Sequence, residues 1–418
     1  MASCKATDAV YHADPPSAAK KLRELFYCAH MLHSHIAHFY ALAAPDFVMG
    51  PTSNPAERNI LGVVAKVGLD VGGEVIKHRA YAQDIQAVIG GKATHPVCGL
   101  PGGMSKPINE EERKDFEEKA KSLVEFSKFS LKLFNDLVLA NKEYLDLITG
   151  DIYTMKSYYM GLVDSNNKVN FYEGDIRVVD PEGKEVAKFK SSDYLDYIAE
   201  HTEPWSYLKF PFLKKVGWKG LVEGKDSGVY RVNSLARLNV ADGMATPLAQ
   251  AEYDKMFDTL GGKPVHATLA FHWARLIETL YAAERLLELC QDAEITSPEV
   301  RTIPTATPDE GVGVVEAPRG TLIHHYQTDE KGIIQKVNLI VATVQNNPAM
   351  NMSVKKAAQG LIKKGNVVTE GLLNMVEMAF RAYDPCMACA THALPGQMPL
   401  EVIIYDSKGD EARRLSRQ

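Results

Sequence analysis

The chain has 418 residues, of which 45% are hydrophobic and 24% are charged, a composition that is ordinary for a globular protein with a large buried core. Its formal net charge of -6 excludes the broad basic surface that is typical of nucleic-acid binding. No stretch is apolar over the roughly 18 residues that a membrane-spanning helix needs, and the N-terminus lacks the features of a secretory signal, so we expect a cytoplasmic protein.

The first third of the chain predicts long helices. Apolar residues recur at helical spacing from 17 to 44. The same segment carries His30, His33, His35 and His38. We interpret these histidines as packed, hydrogen-bonded residues rather than zinc ligands, because no cysteine or carboxylate stands beside them at ligand spacing. Further helices are predicted at 54–91 and 107–148, and the glycine-rich loop between them holds Cys98, which we expect to be a packed residue.

The rest of the chain predicts short strands mixed with further helices. Alternating stretches within 153–190 indicate a small antiparallel sheet. Helices are predicted at 247–259 and 265–290, strands in "GVGVVEAPRGTLIHHY" and "GIIQKVNLIVATV", and short helices near 353–362 and 370–382. The tail "PLEVIIYDSKG" alternates like one last strand. The predicted fold class is α+β, mainly α, with a core of long helices and small antiparallel sheets.

The cysteines are the residues that carry the clearest chemical signal. There are six, too few for a disulfide framework: Cys4, Cys28, Cys98, Cys290, Cys386 and Cys389. Cys386 and Cys389 form a C-x-x-C pair, which His392 follows, and such a pair can form a redox disulfide, help to build a zinc site or bind a redox metal. The pair follows a predicted helix, which disfavours a thioredoxin-type site, and no fourth zinc ligand is near in the sequence. Residue types alone favour a metal or redox site and leave a packed pair of cysteines open.

The full string "DPCMACATH", at 384–392, is more specific than its cysteine spacing. It resembles the C-terminal signature D-P-C-x-x-C-x-x-H of nickel–iron hydrogenase large subunits. Other segments are similar to the same family: "HSHIAHFYALAAPDF", "GGKATHPVCGLPGG" and "EAPRGTLIHHY". The resemblance covers essentially the whole chain. It is closest to the cytoplasmic, methyl-viologen-reducing type associated with heterodisulfide reductase, through "RVNSLARLNVAD", "HWARLIE" and "VATVQNNPAM".

The resemblance implies a set of metal ligands. Cys386 would be a terminal thiolate on nickel, and Cys389 would bridge nickel to an iron that also carries carbon monoxide and cyanide. His392 would bind a nearby magnesium ion or second iron, for which the backbone carbonyl of Leu339 is a further candidate ligand. The implied activity is the reversible oxidation of H2 to protons and electrons.

The resemblance also implies residues around the metals. Arg319 would overhang the dinuclear site and be fixed by Asp46 and Asp384, while Pro318 and Thr343 would line the cyanide pocket. A guanidinium normally stays charged, and two carboxylates beside it would favour the charged form further. We therefore expect Arg319 to act by position and charge, with the terminal thiolate as the proton acceptor.

Partners and processing are implied in the same way. This chain has too few cysteines to hold iron–sulfur clusters of its own, so a small subunit would carry them, and a heterodisulfide reductase or flavin module would receive the electrons. A maturation endopeptidase would cut between His392 and Ala393, which divides the sequence into a large-subunit domain at 1–392 and a removable extension at 393–418.

The family's other two cysteine ligands come from an N-terminal motif, R-x-C-G-x-C, which this sequence does not contain. Cys4 lacks that context and is not assigned as a ligand. The expectation is thus a hydrogenase large subunit, or an N-truncated form of one, whose 418 residues are inactive alone and expose apolar surface. The alternatives are a non-catalytic relative that has lost nickel and serves as an assembly or electron-transfer scaffold, and a plain redox or zinc protein.

Overall fold

Helices are the main elements of the computed structural model, which describes residues 1–206, 208–386 and 400–417. The α-helices are α1 (Ala2–Val10), α2 (Ser17–His38), α3 (Ala44–Val48), α4 (Ile60–Val67), α5 (Leu69–Gly90), α6 (Glu110–Phe134), α7 (Lys142–Thr149), α8 (Tyr194–Tyr197), α9 (Ser234–Val240), α10 (Pro247–Thr259), α11 (Phe271–Gln291), α12 (Ala342–Leu361) and α13 (Glu370–Arg381). The strands are β1 (Gly99–Leu100), β2 (Gly103–Met104), β3 (Tyr158–Val163), β4 (Asp175–Val179), β5 (Glu185–Phe189), β6 (Ile198–His201), β7 (Phe210–Leu213), β8 (Tyr230–Arg231), β9 (Glu310–Ala317), β10 (Gly320–Thr328), β11 (Ile334–Ile340), β12 (Leu400–Tyr405) and β13 (Glu411–Arg417). The α+β, mainly α, prediction is confirmed.

The core is built around α11, which packs against both α2 and α6, while α5 packs on the outer side of α2. Nearly every face of α11 is buried, including the ring of Trp273, which lies 6.1 Å from the ring of Phe134. A helix buried on all sides is expected to be apolar all round. α11 departs from that rule, since Arg275 and Glu278 are also fully buried, and both contribute to the site described below.

Two predicted helices are interrupted. The segment predicted at 17–44 continues as an α-helix to His38, passes through a π-helical turn at Phe39–Ala43 and resumes as α3. The single helix predicted at 54–91 is wrong, because the chain breaks at Gly68, whose φ of +100° is a left-handed value that glycine adopts without strain. Asn59, rather than the predicted start near residue 54, caps α4 by accepting hydrogen bonds from two backbone N–H groups.

The sheets are small, as predicted, and one of them presents a tight turn to the core. β9, β10 and β11 form a three-stranded antiparallel sheet in which Ala317 pairs with Gly320, so Pro318 and Arg319 form the two-residue turn. Gly320 has φ of +127°, and a Cβ there would lie 2.3 Å from Val232 Cγ2. Glycine therefore lets this turn approach the backbone beside Val232 and delivers Arg319 to the interior.

The other sheets lie away from this turn. β5, β4, β3 and β8 form a four-stranded sheet in that order, with β3 and β8 parallel. The C-terminal tail, predicted as one strand, contains β12 and β13, which pair antiparallel around a turn at 406–410. None of the helices in the described part of the chain is both long and apolar enough to span a bilayer.

Candidate active site

The end of α13 leads to the first residue of the C-x-x-C pair. α13 ends at Arg381, and the chain continues through Asp384 to Cys386, which is partly buried. Cys389 and His392, the other predicted metal ligands of this motif, lie outside the described residues. The surroundings of residues 381–386 therefore define the site.

Four consecutive backbone carbonyls, those of residues 381–384, each accept a hydrogen bond from a side chain of a different part of the fold. The pairs are His38 Nε2 with Arg381 O (2.9 Å), Arg275 Nη2 with Ala382 O (3.0 Å), Asn233 Nδ2 with Tyr383 O (2.6 Å) and Arg319 Nε with Asp384 O (2.5 Å). These donors lie on α2, on α11, just before α9 and in the β9–β10 turn. The segment before Cys386 is thus tied to four separate elements.

Arg319 also reaches the side chain of Asp384, with 3.3 Å between Nη2 and Oδ1. Asp384 is only 3% exposed, and its φ of +53° is uncommon for a residue with a side chain. Burial raises the pKa of its carboxyl, and the positive charges of Arg319 and Arg275 oppose that shift. The predicted contact between Arg319 and Asp384 is present, whereas the role of the pair in catalysis stays a prediction.

Asp46 does not contact Arg319, contrary to the sequence-based expectation. Its Oδ2 accepts a 2.6 Å hydrogen bond from Arg381 Nη1, and its Oδ1 accepts one of 2.8 Å from Asn374 Nδ2. Arg58 lies 3.8 Å away. Asp46 belongs to α3, which faces the last turn of α13, so its carboxylate is used by the arginine on that turn. It fixes the end of α13 rather than the guanidinium over the site.

The remaining predicted residues flank the β9–β10 turn. The carbonyl of Pro318 accepts a hydrogen bond from Arg237 Nη2 at 3.3 Å. Thr343 lies on the first turn of α12, one turn before Asn346, whose Nδ2 donates to the carbonyl of Arg319 at 3.2 Å. Leu339 lies on β11, where it is 43% exposed. Pro318 and Thr343 are thus next to Arg319, and the ligand role of the Leu339 carbonyl is untested.

A fully buried charge network, which the sequence analysis missed, supports this turn. Arg237 binds Glu278 through two nitrogens and donates to Glu316 Oε2 at 2.7 Å, while His35 Nε2 lies 3.1 Å from Glu278. Burial alone would raise the pKa of Glu278, but Arg237 outweighs it and lowers that pKa to about 2. Arg237 also donates to Ala317 O at 2.9 Å, so the network holds the turn that carries Arg319. Charged residues inside otherwise apolar segments were the available signal.

Several buried polar atoms around residues 381–384 have no hydrogen-bond partner within the described part of the chain. They are Arg275 Nε and Nη1, His38 Nδ1, His272 Nδ1 and Asp384 Oδ2. Buried groups of this kind normally have a partner, either protein, water or a bound group. Two arginines face one carboxylate here, so the site is electropositive. That charge and the Cys386 thiol fit an anionic, thiolate-bound metal group, although no cluster of three potential metal ligands occurs among the described residues.

The four remaining cysteines lie elsewhere in the described structure. Cys28 precedes His38 by ten residues on α2, about 15 Å along the helix, and Cys290 is about 22 Å along α11 from Arg275. Burial raises the pKa of both thiols, that of Cys290 to about 12. Cys98 is buried, as expected for a packed residue, and Cys4 belongs to α1 near Gly99. None of these four is adjacent to Cys386 in the described residues.

Comparison with known proteins identifies the family. The profile described as nickel-dependent hydrogenase matches residues 1–59 and 73–392. The chain belongs to the nickel-dependent hydrogenase family. Its members are oxidoreductases that act on H2, and this chain is a hydrogenase large subunit. The predicted resemblance is therefore confirmed, and the non-catalytic alternative gains no support.

Individual relatives agree with this assignment. The hydrogenase chain is 52% identical over 409 residues to an F420-non-reducing hydrogenase iron-sulfur subunit of Archaeoglobus profundus, covering 98% of this chain and 84% of the relative. It is 38% identical over 406 residues to the NAD-reducing hydrogenase HoxS subunit beta of Cupriavidus necator, covering 95% and 80%. The crystal structure of an NAD+-reducing nickel–iron hydrogenase in its H2-reduced state superposes with a TM-score of 0.86 at 35% identity, covering 94% of this chain and 84% of that one.

Proposed function

We propose that this chain catalyses the reversible oxidation of H2 at a nickel–iron centre beside the end of α13. The observation that carries the proposal is the pair of hydrogen bonds from Arg319 to Asp384, two residues before Cys386. Cys386 and Cys389 would hold the centre. His392 would hold a magnesium ion or second iron, with the Leu339 carbonyl as a further ligand, and carbon monoxide and cyanide would complete the first iron. When bound, the nickel–iron group supplies the redox-active metals at which H2 is split.

The residues of the chain position the reactants and handle the proton. Arg319 keeps its charge, because guanidinium groups stay protonated at physiological pH, so it is a poor base. Its positive charge favours a negatively charged group beside it, and the fixed turn spares the site any reorganisation. The Cys386 sulfur, as a thiolate, is the group that we propose takes the proton. Pro318 and Thr343, which flank Arg319, would line the pocket for the cyanide ligands.

Stable metal binding requires donors beyond the C-x-x-C pair. Soft metals are held firmly by a full set of thiolates, and the other four cysteines of this chain are placed elsewhere. We therefore propose that the 418 residues alone bind less than one nickel per chain and do not turn over H2. The relatives are named as subunits, which supports assembly with partners. The proposed partners are an iron–sulfur small subunit and, as electron acceptor, a heterodisulfide reductase or flavin module, and the proposed location is the cytoplasm.

Processing at the C-terminus is a further part of the proposal. A maturation endopeptidase would cut between His392 and Ala393, outside the described residues, and would remove the segment that contains the β12–β13 hairpin. Mass spectrometry of the chain isolated from the native complex tests this directly. A mature chain that ends at His392 is expected, and a metal-loaded chain that keeps residues 393–418 would contradict it.

The experiment that tests the function uses the native complex that contains this chain, purified without oxygen. Nickel and iron are measured per chain together with H2-dependent reduction of methyl viologen, for the wild type and for Cys386→Ala. The wild type should contain both metals and reduce the dye, whereas the variant should lose both. Dye reduction by a variant without nickel, or a wild type with zinc alone, would refute the proposal.

A further inference from the structure

We propose that His38, Asn233 and Arg275 are positioning residues that, together with Arg319, fix the path of residues 381–384 and so the placement of Cys386. We call these four side chains the carbonyl clamp. The inference rests on the proposed function for the purpose of Cys386. The clamp itself can be tested without turnover, so the two can fail separately.

The clamp solves a problem that the end of α13 creates. The last carbonyls of a helix have no partner within the helix and are usually satisfied by water or by a left-handed glycine after the last turn. Here the carbonyls at 381–384 are served by side chains instead, and the left-handed residue is Asp384 rather than glycine. His38, Asn233 and Arg275 are at most 2% exposed, so bulk water cannot replace them.

The distribution of the donors over the fold gives the clamp its precision. Successive carbonyls of a non-helical segment point in different directions, so a single neighbouring helix could satisfy only some of them. α2, α11, the residue before α9 and the β9–β10 turn each provide one donor. Each bond restricts the dihedral angles beside a different peptide group, and together they leave the chain one path to Cys386.

Arg275 is an expensive residue for mere packing. A buried guanidinium is stabilising only when its charge and N–H groups are used, and an apolar side chain of similar volume would usually fill the space better. Arg275 uses Nη2 for Ala382 O and for Asn233 Oδ1, at 3.0 and 3.3 Å. Its charge also acts on Asp384. Both interactions act on the segment before Cys386, which indicates that this segment is the reason for the burial.

Asn233 is held in an unusual conformation that serves the same contact. Its φ of +101° is rare for a non-glycine residue, and its Oδ1 accepts a 2.7 Å hydrogen bond from the N–H of Ser234. That bond orients the side-chain amide so that Nδ2 points to Tyr383 O at 2.6 Å. A local bond therefore presets the donor before the clamp closes.

The test compares His38→Phe with His272→Phe in the native complex. The two rings are buried, stacked at 5.7 Å and of equal size, but among the described residues His272 donates to none of the four carbonyls. Amide hydrogen exchange is measured for a peptide that contains residues 381–386. His38→Phe should accelerate exchange there about five- to tenfold, while His272→Phe should change it less than about twofold.

A rescue variant separates hydrogen bonding from packing. His38→Gln restores an N–H donor of similar reach, so exchange should return to within about twofold of the wild type. Arg275→Lys, which keeps the charge and loses the fork, should accelerate exchange in the same peptide and leave peptides of α6 unchanged. Equal exchange in the His38→Phe and His272→Phe variants, or no rescue by glutamine, would overturn the clamp whatever the H2 activity. A working clamp in a complex without H2 turnover would overturn only the proposed function.

Discussion

Arg319 and Asp384 are joined twice, through Arg319 Nε to the backbone carbonyl at 2.5 Å and through Nη2 to Oδ1 at 3.3 Å. The β9–β10 turn and the segment before Cys386 therefore move as one unit. The charge balance is the reverse of the sequence-based expectation, since two arginines, Arg319 and Arg275, act on one carboxylate. An electropositive site of this kind favours an anionic bound group.

Arg319→Lys tests the need for the planar guanidinium. Lysine keeps the positive charge but cannot donate to the backbone and side chain of Asp384 in the same geometry. We expect nickel content to be retained and H2-dependent dye reduction per nickel to fall by about a hundredfold. A variant with full metal content and full turnover would show that the fork is dispensable.

Asp46→Asn tests the corrected role of Asp46. The carboxylate is 4% exposed and pairs with Arg381, so its loss leaves a largely buried cation without its counter-charge. We expect the free energy of unfolding to fall by about 3 kcal/mol in urea titrations. Glu377→Gln is the matched control, because Glu377 binds the same arginine from a more exposed position and should matter by less than about 1 kcal/mol. Equal effects would refute the assignment.

Glu278→Gln tests the buried network below the turn. It removes one of the two carboxylates on Arg237 and the partner of His35. A loss of about 3–5 kcal/mol is expected, because a buried charge is left undercompensated. Glu288→Gln, on the same helix, removes an exposed ion pair with Arg285 and should cost less than about 1 kcal/mol. Tolerance of Glu278→Gln would mean that the network is not held by charge.

Stability should fall as the solution is acidified through the histidine range. Burial lowers the pKa of His30, His33, His35 and His266 to about 4, and that of His38 and His272 further. Between about pH 6.5 and pH 4 these groups bind protons only when the chain unfolds, so the free energy of unfolding decreases as the pH falls. A fully buried histidine contributes about 1.4 kcal/mol per pH unit.

Urea titrations at several pH values between about 5 and 6.5 measure this slope, above the range in which Glu278 titrates. His35→Gln should reduce the slope by about one proton, since glutamine does not titrate. A flat dependence of the unfolding free energy on pH would show that the histidines are not held neutral by burial.

The sequence predicted the parts of the fold that depend on periodicity and motif. The helical pattern from residue 17 and the alternating strands around "EAPRG" match α2, β9 and β10. The break at Gly68 was missed because a single glycine inside an apolar run is compatible with a continuous helix. The helical turn at Phe39–Ala43 was missed because π-helical geometry depends on packing.

Side-chain partners were predicted less well, because they depend on tertiary geometry. The pairing of Asp384 with Arg319 followed from the family resemblance, whereas Asp46 binds the nearer Arg381 on α13. The Arg237–Glu278 pair joins α9 to α11 and has no spacing in the sequence that would reveal it. The ligand roles of Cys389 and His392 stay predictions.

The most direct test of the central claim is the formation of HD from H2 in D2O by the native complex, because this exchange requires H2 cleavage but no electron acceptor. We expect HD from the wild type and none from the Cys386→Ala variant. HD formation at equal rates by both proteins, or no HD from a wild type that contains nickel and iron, would contradict a catalytic centre at Cys386.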